Sequence, residues 1–259
     1  MTEFADGESL TDWMKNVAAK NLNEKLSVFH RIIVALSHGT IFFKHRDIHP
    51  GNIILMPASH VSMGPEFTAM QFDPGIRIID WGEALPVIFG NYDDEPEHNF
   101  TLLKTAPTMI GGSITSLPPE VFSPWKQNAD FGGLYESWGM GLLLHRIFLN
   151  EELPRAKSLG HYVESISNGS LQRWVDDQVA QLKRMSLPGG LIIPQLLKQM
   201  LEISADSRLE LSRAARILWD IRYEKFSITD EQTLFKYFSS PNDYEPPDGW
   251  THSFFPDYD

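Results

Sequence analysis

Two polar segments, each beside a short apolar stretch, most constrain what this chain can fold into. One runs from His45 to Asn52 and precedes the apolar residues 53–55; the other is Asp80-Trp81-Gly82, which follows the largely apolar residues 76–79. We expect both apolar stretches to form short strands, with the polar residues on loops at their ends. Mg²⁺ prefers hard oxygen ligands and usually takes one or two carboxylates together with substrate phosphates. The pattern therefore suits a magnesium–triphosphate site, with a further carboxylate left to accept the proton of an attacking hydroxyl.

Composition indicates an ordinary folded protein around these segments. The chain has 259 residues, enough for one large domain or two small ones, and is 42% hydrophobic and 22% charged. Its net charge of −12, without any run of Lys and Arg, argues against a nucleic-acid partner. The chain contains no cysteine, which excludes a disulfide framework, a thiolate zinc site and a thiol nucleophile.

Two stretches bear on targeting. The N-terminal residues 1–10 are acidic and lack the apolar core of a signal peptide. The most apolar long stretch, 138–149, contains His145 and Arg146 and is too short to cross a bilayer. We therefore expect a cytoplasmic (intracellular) protein that does not contact a membrane.

Apolar spacing predicts a mainly α-helical chain. Ser9 and Asp12 form a short capping box before a first helix. Further helices are predicted for residues 23–37, 171–185, 191–203 and 210–223. The Gly, Pro and Ser content of residues 57–74 predicts a surface loop inserted between the two strands. The sequence does not decide whether the acidic, aromatic residues 227–259 dock on the body, dock on a partner or remain disordered.

At the two polar segments the chain resembles the protein kinase superfamily. His-Arg-Asp-Ile-His-Pro-Gly-Asn at 45–52 resembles the catalytic loop H-R-D-x-x-x-x-N, and Asp80-Trp81-Gly82 resembles D-F-G. The resemblance implies the C-terminal lobe of a Ser/Thr protein kinase, a helical bundle with short β-hairpins at the catalytic loop. It implies ATP and Mg²⁺ as cofactors, a protein substrate or a partner kinase, Asp47 as catalytic base, and Asn52 and Asp80 as metal ligands.

Later motifs follow in the family's order. Residues 112–120 resemble the G-T-x-x-Y-x-A-P-E end of the activation segment, 136–141 resemble D-x-W-x-x-G at the start of a buried helix, and 204–208 resemble D-P-x-x-R. By this resemblance Glu120 and Arg208 form a buried, bidentate ion pair. The same resemblance implies that Glu136 accepts hydrogen bonds from the catalytic-loop backbone. It also implies that Arg46 can pair with a phosphorylated threonine in the activation segment, the candidates being Thr101, Thr105 and Thr108.

The resemblance covers residues 1–226 and the C-terminal half of the family fold. Residues 1–8 resemble the hinge between the two lobes, and the 259 residues contain no counterpart of the N-lobe with its Gly-rich loop, Lys and Glu. We predict a hinge-like segment at 1–8, the lobe at 9–226 and a tail at 227–259. The resemblance then implies a nucleotide on an open shelf, with Ile54 under the base, the backbone of Ala5 at its edge and Glu8 near the ribose.

His49 departs from the Ser/Thr kinase pattern, and two alternatives to a protein kinase stay open. Ser/Thr kinases place a Lys here, in contact with the transferring phosphate, and a neutral His can donate one hydrogen bond. We count His49 among the catalytic residues, with Asp47 and Asn52. His-Pro-Gly-Asn also resembles the loops of aminoglycoside phosphotransferases and related atypical kinases, which phosphorylate small molecules. The other alternative is a non-catalytic lobe, a pseudokinase that binds a kinase or its substrate as a decoy. Pro118-Pro119-Glu120, Trp138 and Arg208 favour a protein kinase over the small-molecule kinases. The presence of Asp47, Asn52 and Asp80 argues against a non-catalytic lobe.

Overall fold

A computed structural model describes residues 7–39, 43–57, 75–86, 117–122, 134–151, 158–223 and 225–239. This part of the chain is mainly helical, as predicted. The helices are α1 (Leu10–Met14), α2 (Leu22–Gly39), α3 (Tyr135–Leu149), α4 (Leu159–Ser167), α5 (Ser170–Lys183), α6 (Ile192–Met200), α7 (Leu211–Tyr223) and α8 (Glu231–Ser239). The strands are β1 (Glu8–Ser9), β2 (Phe43–Lys44), β3 (Ile53–Leu55), β4 (Ile76–Ile78) and β5 (Leu85–Pro86). None of the helices in these ranges is long and apolar enough to cross a membrane.

The core is built on α2 and α3. Helix α2 buries an apolar stripe at helical spacing and packs on α7 and α3; the stripe is Leu26, Phe29, Ile32, Ile33 and Leu36. Helix α3 is buried on nearly all sides, because α2, α5 and α6 pack around it. It ends at Asn150, which adopts a left-handed conformation and donates its backbone N–H to the Arg146 carbonyl. Helices α2 and α3 support the polar segments from below.

The strands form two small antiparallel sheets. Strands β1, β3 and β4 form one sheet in the order β1-β3-β4, and β2 pairs with β5 in the other. In the first sheet Ile53 lies opposite Ile78 and Ile54 opposite Arg77. The predicted hairpin strands are therefore confirmed, with β4 ending one residue earlier than expected. The predicted surface loop lies, except for Pro57, outside the described residues.

Two helices were not predicted. Helix α4 buries Tyr162, whose hydroxyl donates to the Leu117 carbonyl at 2.8 Å. Helix α8 lies within the region predicted as a tail, and it buries Leu234, Tyr237 and Phe238 in the core. The first part of that region therefore belongs to the folded body, while residues 240–259 lie outside the described residues.

A buried ion pair joins the segment 117–122 to the helical body. Arg208 Nη1 and Nη2 donate to Glu120 Oε1 and Oε2 at 2.5 and 2.6 Å, and both side chains are buried. The Arg208 guanidinium also lies 5.1 Å from the centroid of the Trp138 ring. The predicted bidentate pair is thus present.

Candidate active site

The loop 45–52 is held in a strained turn by a buried carboxylate. Arg46 has φ of 69°, a left-handed conformation that non-glycine residues seldom adopt. Its backbone N–H donates to Glu136 Oε1 at 2.8 Å, and Glu136 is buried in the first turn of α3. A carboxylate is favourable there because of the positive end of the helix dipole. The predicted role of Glu136 as acceptor for the loop backbone is confirmed, with Glu in the place of the family's Asp.

His45 connects the two polar segments. Sequence reasoning missed this role of His45. Its Nε2 lies 2.9 Å from the Ile79 carbonyl oxygen, and its Nδ1 accepts the Asp47 backbone N–H at 3.3 Å. A carbonyl can only accept, so we assign the proton to Nε2. Burial lowers the pKa of His45, which keeps the ring neutral and this assignment stable. The Trp81 ring packs edge-on against it, with 4.7 Å between ring centroids.

The structure brings Asp47 and Asn52 together. Asn52 Nδ2 donates to the Asp47 backbone carbonyl at 3.0 Å and lies 3.5 Å from Asp47 Oδ2. Because the amide nitrogen faces Asp47, the Asn52 Oδ1 atom is the one that can ligate a metal. The Asp47 side chain is 20% exposed, so a substrate hydroxyl can reach its carboxylate.

His49 faces the same carboxylate. Its Nδ1 accepts the backbone N–H of Gly51 at 3.0 Å, so a neutral ring carries its proton on Nε2. Nε2 lies 3.6 Å from Asp47 Oδ2, which is too long for a hydrogen bond. Both atoms can instead contact one hydroxyl that lies beside them. Gly51 is needed here, since a Cβ at that position would lie 2.8 Å from His49 Cε1.

Asp80 lies beside Asn52 at the end of the sheet. The Ile79 N–H donates to the Asn52 carbonyl at 2.9 Å, so Asn52 and Ile79 face each other across neighbouring chain segments. Asp80 follows in a left-handed conformation, φ 60° and ψ 65°, and is exposed. Gly82 allows its carboxylate to lie close, because a Cβ there would be 3.3 Å from Asp80 Oδ1.

The Asn52 amide oxygen and the Asp80 carboxylate are hard oxygen ligands suited to Mg²⁺. In the described ranges no three or more His, Asp or Glu side chains group to hold a metal ion. A magnesium ion at Asn52 and Asp80 would therefore need phosphate or water oxygens to complete its coordination. This is the usual arrangement when the metal arrives with a nucleotide.

The predicted nucleotide residues lie at the same sheet. Glu8 is exposed and pairs with Leu55, while Ser9 pairs with Ile54, so the register places Glu8 and Ile54 on opposite faces of the sheet. A Cβ on Gly7 would be 2.8 Å from Ile54 Cγ2, which shows how closely this segment approaches Ile54. Ala5 lies outside the described residues. Nucleotide contact by these residues stays a prediction.

The activation-segment predictions fall mostly outside the described residues, which exclude 87–116 and with them Thr101, Thr105 and Thr108. Arg46 itself is half-buried, and its Nε makes no hydrogen bond to the described residues. Its pairing with a phosphorylated threonine therefore stays a prediction.

Comparison of the chain with protein-family models and with curated proteins found no match. The kinase resemblance therefore stays a prediction from the motifs in the sequence.

Proposed function

We propose that this protein is a kinase-like phosphotransferase that moves the γ-phosphate of ATP to a Ser or Thr hydroxyl of a protein. The observation that carries the proposal is the hydrogen bonding of Asn52. Its side-chain amide binds the Asp47 carbonyl and its backbone carbonyl accepts from Ile79, next to Asp80. Three groups suited to phosphoryl transfer thereby lie at one end of the sheet.

Each residue has a role that its surroundings permit. Asp47 accepts the proton of the acceptor hydroxyl as the new oxygen–phosphorus bond forms and ADP leaves. His49 donates its Nε2–H to an oxygen whose charge grows in the transition state. Asn52 Oδ1 and the Asp80 carboxylate would hold Mg²⁺, which supplies positive charge to the phosphates. Glu136 and His45 position the loop without touching the substrate.

The first experiment is calorimetry of Mg²⁺-ATP binding to the full chain and to Asp80→Asn. We expect metal-dependent binding that Asp80→Asn abolishes, because the variant loses the carboxylate that the metal needs. Asp177→Asn, an equal change of charge at an exposed position of α5, is the matched control and should bind as the native chain does. Absence of binding at millimolar ATP would overturn the proposal.

A second candidate function is favoured by exposed apolar surface beside Asp80. Ile79 is 38% and Trp81 36% exposed, and large apolar side chains exposed next to one another are typical of protein contacts. A non-catalytic lobe that binds a kinase or its substrate would use such a surface. It would show no ATP binding in the calorimetry above, whereas Ile79→Ser and Trp81→Ser would weaken capture of a partner kinase.

The choice of acceptor is a separate question. His-Pro-Gly-Asn at residues 49–52 also suits a small-molecule kinase, since it resembles the loops of aminoglycoside phosphotransferases. Radiolabelled ATP offered with a Ser/Thr peptide mixture and with an aminoglycoside mixture distinguishes the two. We expect label on the peptides, and label on the aminoglycosides alone would overturn the protein substrate while keeping the phosphotransferase.

A further inference from the structure

The sheet face that carries Ile54 also carries an arginine to which no role has been assigned. Arg77 lies directly opposite Ile54 in the register of β3 and β4, and directly opposite residues project from the same face. Ile53, Leu55 and Ile76 project from the other face and are buried in the core. Arg77 is exposed, so the outer face combines an aliphatic side chain with a guanidinium.

This outer face leads to the candidate active site. Because side chains alternate along a strand, Ile79 projects from the same side as Arg77. Asp80 comes next, just beyond the end of β4 and at most about 10 Å from Arg77 at roughly 3.3 Å per residue. A ligand whose phosphates lie at Asp80 can therefore reach Ile54 and Arg77 with its other end.

The chemistry of this face fits an aromatic base. The guanidinium is planar, stacks on aromatic faces and offers hydrogen-bond donors at its edge. Nucleobases stack on guanidinium planes in the same way. Arg77 Nη1 donates to the Ile76 carbonyl at 3.1 Å, which holds the side chain along its own strand. Ile54 and Ile79 add apolar surface for the rest of a ring.

We propose that Arg77 is a specificity-determining residue that holds the purine base of the nucleoside triphosphate on this face. The guanidinium stacks on the base and donates hydrogen bonds to acceptors at its edge. The inference extends the proposed phosphotransferase function and depends on it. It divides the ligand in two, with the base at Arg77 and the phosphates at Asp80.

Calorimetry with two probes separates the two ends. Mg²⁺-ATP carries both base and phosphates, whereas Mg²⁺-tripolyphosphate carries no base. We expect Arg77→Gln to weaken ATP binding about three- to tenfold, the range of a cation–π contact, and to leave tripolyphosphate binding unchanged. Arg77→Lys should lose less ATP affinity than Arg77→Gln, because lysine keeps the positive charge but lacks the planar guanidinium.

Arg173→Gln is the matched control. Arg173 is exposed on α5 and, like Arg77, donates from Nη1 to a backbone carbonyl, in its case that of Asn168 at 3.3 Å. This variant should bind both probes as the native chain does. Unchanged tripolyphosphate binding by Arg77→Gln also shows that the variant is folded.

The outcomes distinguish the two proposals. If Arg77→Gln binds ATP as tightly as the native chain, or loses both probes equally, the base assignment is overturned and the phosphotransferase stands. If the native chain binds neither probe, both proposals are overturned. If Asp80→Asn loses both probes while Arg77→Gln loses only ATP affinity, the division of the ligand is supported.

Discussion

Glu120–Arg208 and Asp47–His49 are both pairs of an acidic and a basic side chain, but they meet in opposite ways. Glu120 and Arg208 are buried and share two short hydrogen bonds. Asp47 and His49 are 20% and 45% exposed, and their nearest atoms are 3.6 Å apart. The first pair is joined by direct hydrogen bonds, while the second leaves its facing atoms able to contact a third group that lies beside both of them. Saturation of the donors and acceptors therefore separates a pair suited to holding the fold from one suited to binding substrate.

The largest effect is expected from breaking the buried pair. Arg208→Ala leaves Glu120 charged and unpaired in the core, which should lower the free energy of unfolding by about 3–5 kcal/mol. Urea denaturation followed by circular dichroism measures this change in the free energy of unfolding. Arg173→Ala, at an exposed site, should change it by less than about 0.5 kcal/mol. A loss below about 1 kcal/mol for Arg208→Ala would show that the pair does not hold the fold.

Asp47→Asn should affect rate and spare stability. We expect phosphate transfer to fall by about 10² to 10⁴, the usual contribution of a general base, while Mg²⁺-ATP still binds. Unfolding in urea should remain close to that of the native chain, since the side chain reaches solvent. Retention of more than about a tenth of the transfer rate would argue against Asp47 as the base. Asp177→Asn provides the control of equal charge change.

A pH titration extends the comparison to the buried histidines. His30 is fully buried against Arg222, and burial, assisted by that guanidinium, lowers its pKa to about 3. In the folded chain the pKa of His30 lies below the ordinary value of 6.5. The neutral ring therefore contributes to the free energy of unfolding above pH 6.5, and this contribution is lost as the pH falls toward 3. Between pH 6.5 and 5 the loss from His30 should be about 2 kcal/mol.

Urea denaturation at several pH values measures this slope. Burial also lowers the pKa of His45 and of His145, so those rings steepen the slope of the native chain. The test is therefore the difference between variants. His30→Gln should flatten the curve relative to that of the native chain. Equal slopes for the two proteins would contradict a buried, neutral His30.

The smallest effect on the transfer rate is expected from moving the His49 ring relative to Asp47. Gly51→Ala puts a methyl group 2.8 Å from His49 Cε1 and should push the ring away from its position. Loss of one hydrogen bond of about 0.5–1.5 kcal/mol predicts a transfer rate about two- to tenfold lower. The same substitution in a His49→Ala background should add little, because the displaced ring is already absent. Additive losses would mean that Gly51 acts on something other than His49.

Local patterns predicted those parts of the fold that depend on neighbouring residues. The strands 53–55 and 76–78 and the helix from 22 were visible because apolar periodicity is a short-range signal. The Glu120–Arg208 pair was found only through the order of motifs, since 88 residues separate its members. Helix α8 had a usable signal that was overlooked: Asp230 caps it through the Thr233 N–H, and Leu234, Tyr237 and Phe238 follow at helical spacing.

The bridge made by His45 could not be predicted in the same way. Its partner at Ile79 lies 34 residues away and is a backbone carbonyl, which leaves no trace in side-chain identity. The Gly51 N–H to His49 bond is local, yet it depends on the loop conformation that Glu136 fixes from 90 residues away. Residue types therefore indicated the chemistry expected of the site. The hydrogen bonds that hold its loop in place could be found only from the structure.

The left-handed backbone at Asp80 has a consequence for directed evolution. Such a conformation costs a non-glycine residue on the order of 1–3 kcal/mol, and glycine adopts it freely. A selection for heat resistance alone would thus reward Asp80→Gly, which relieves the backbone and removes the carboxylate in one step. Thermostable libraries of this protein should accumulate that variant, and they would need a screen for nucleotide binding to retain the native residue.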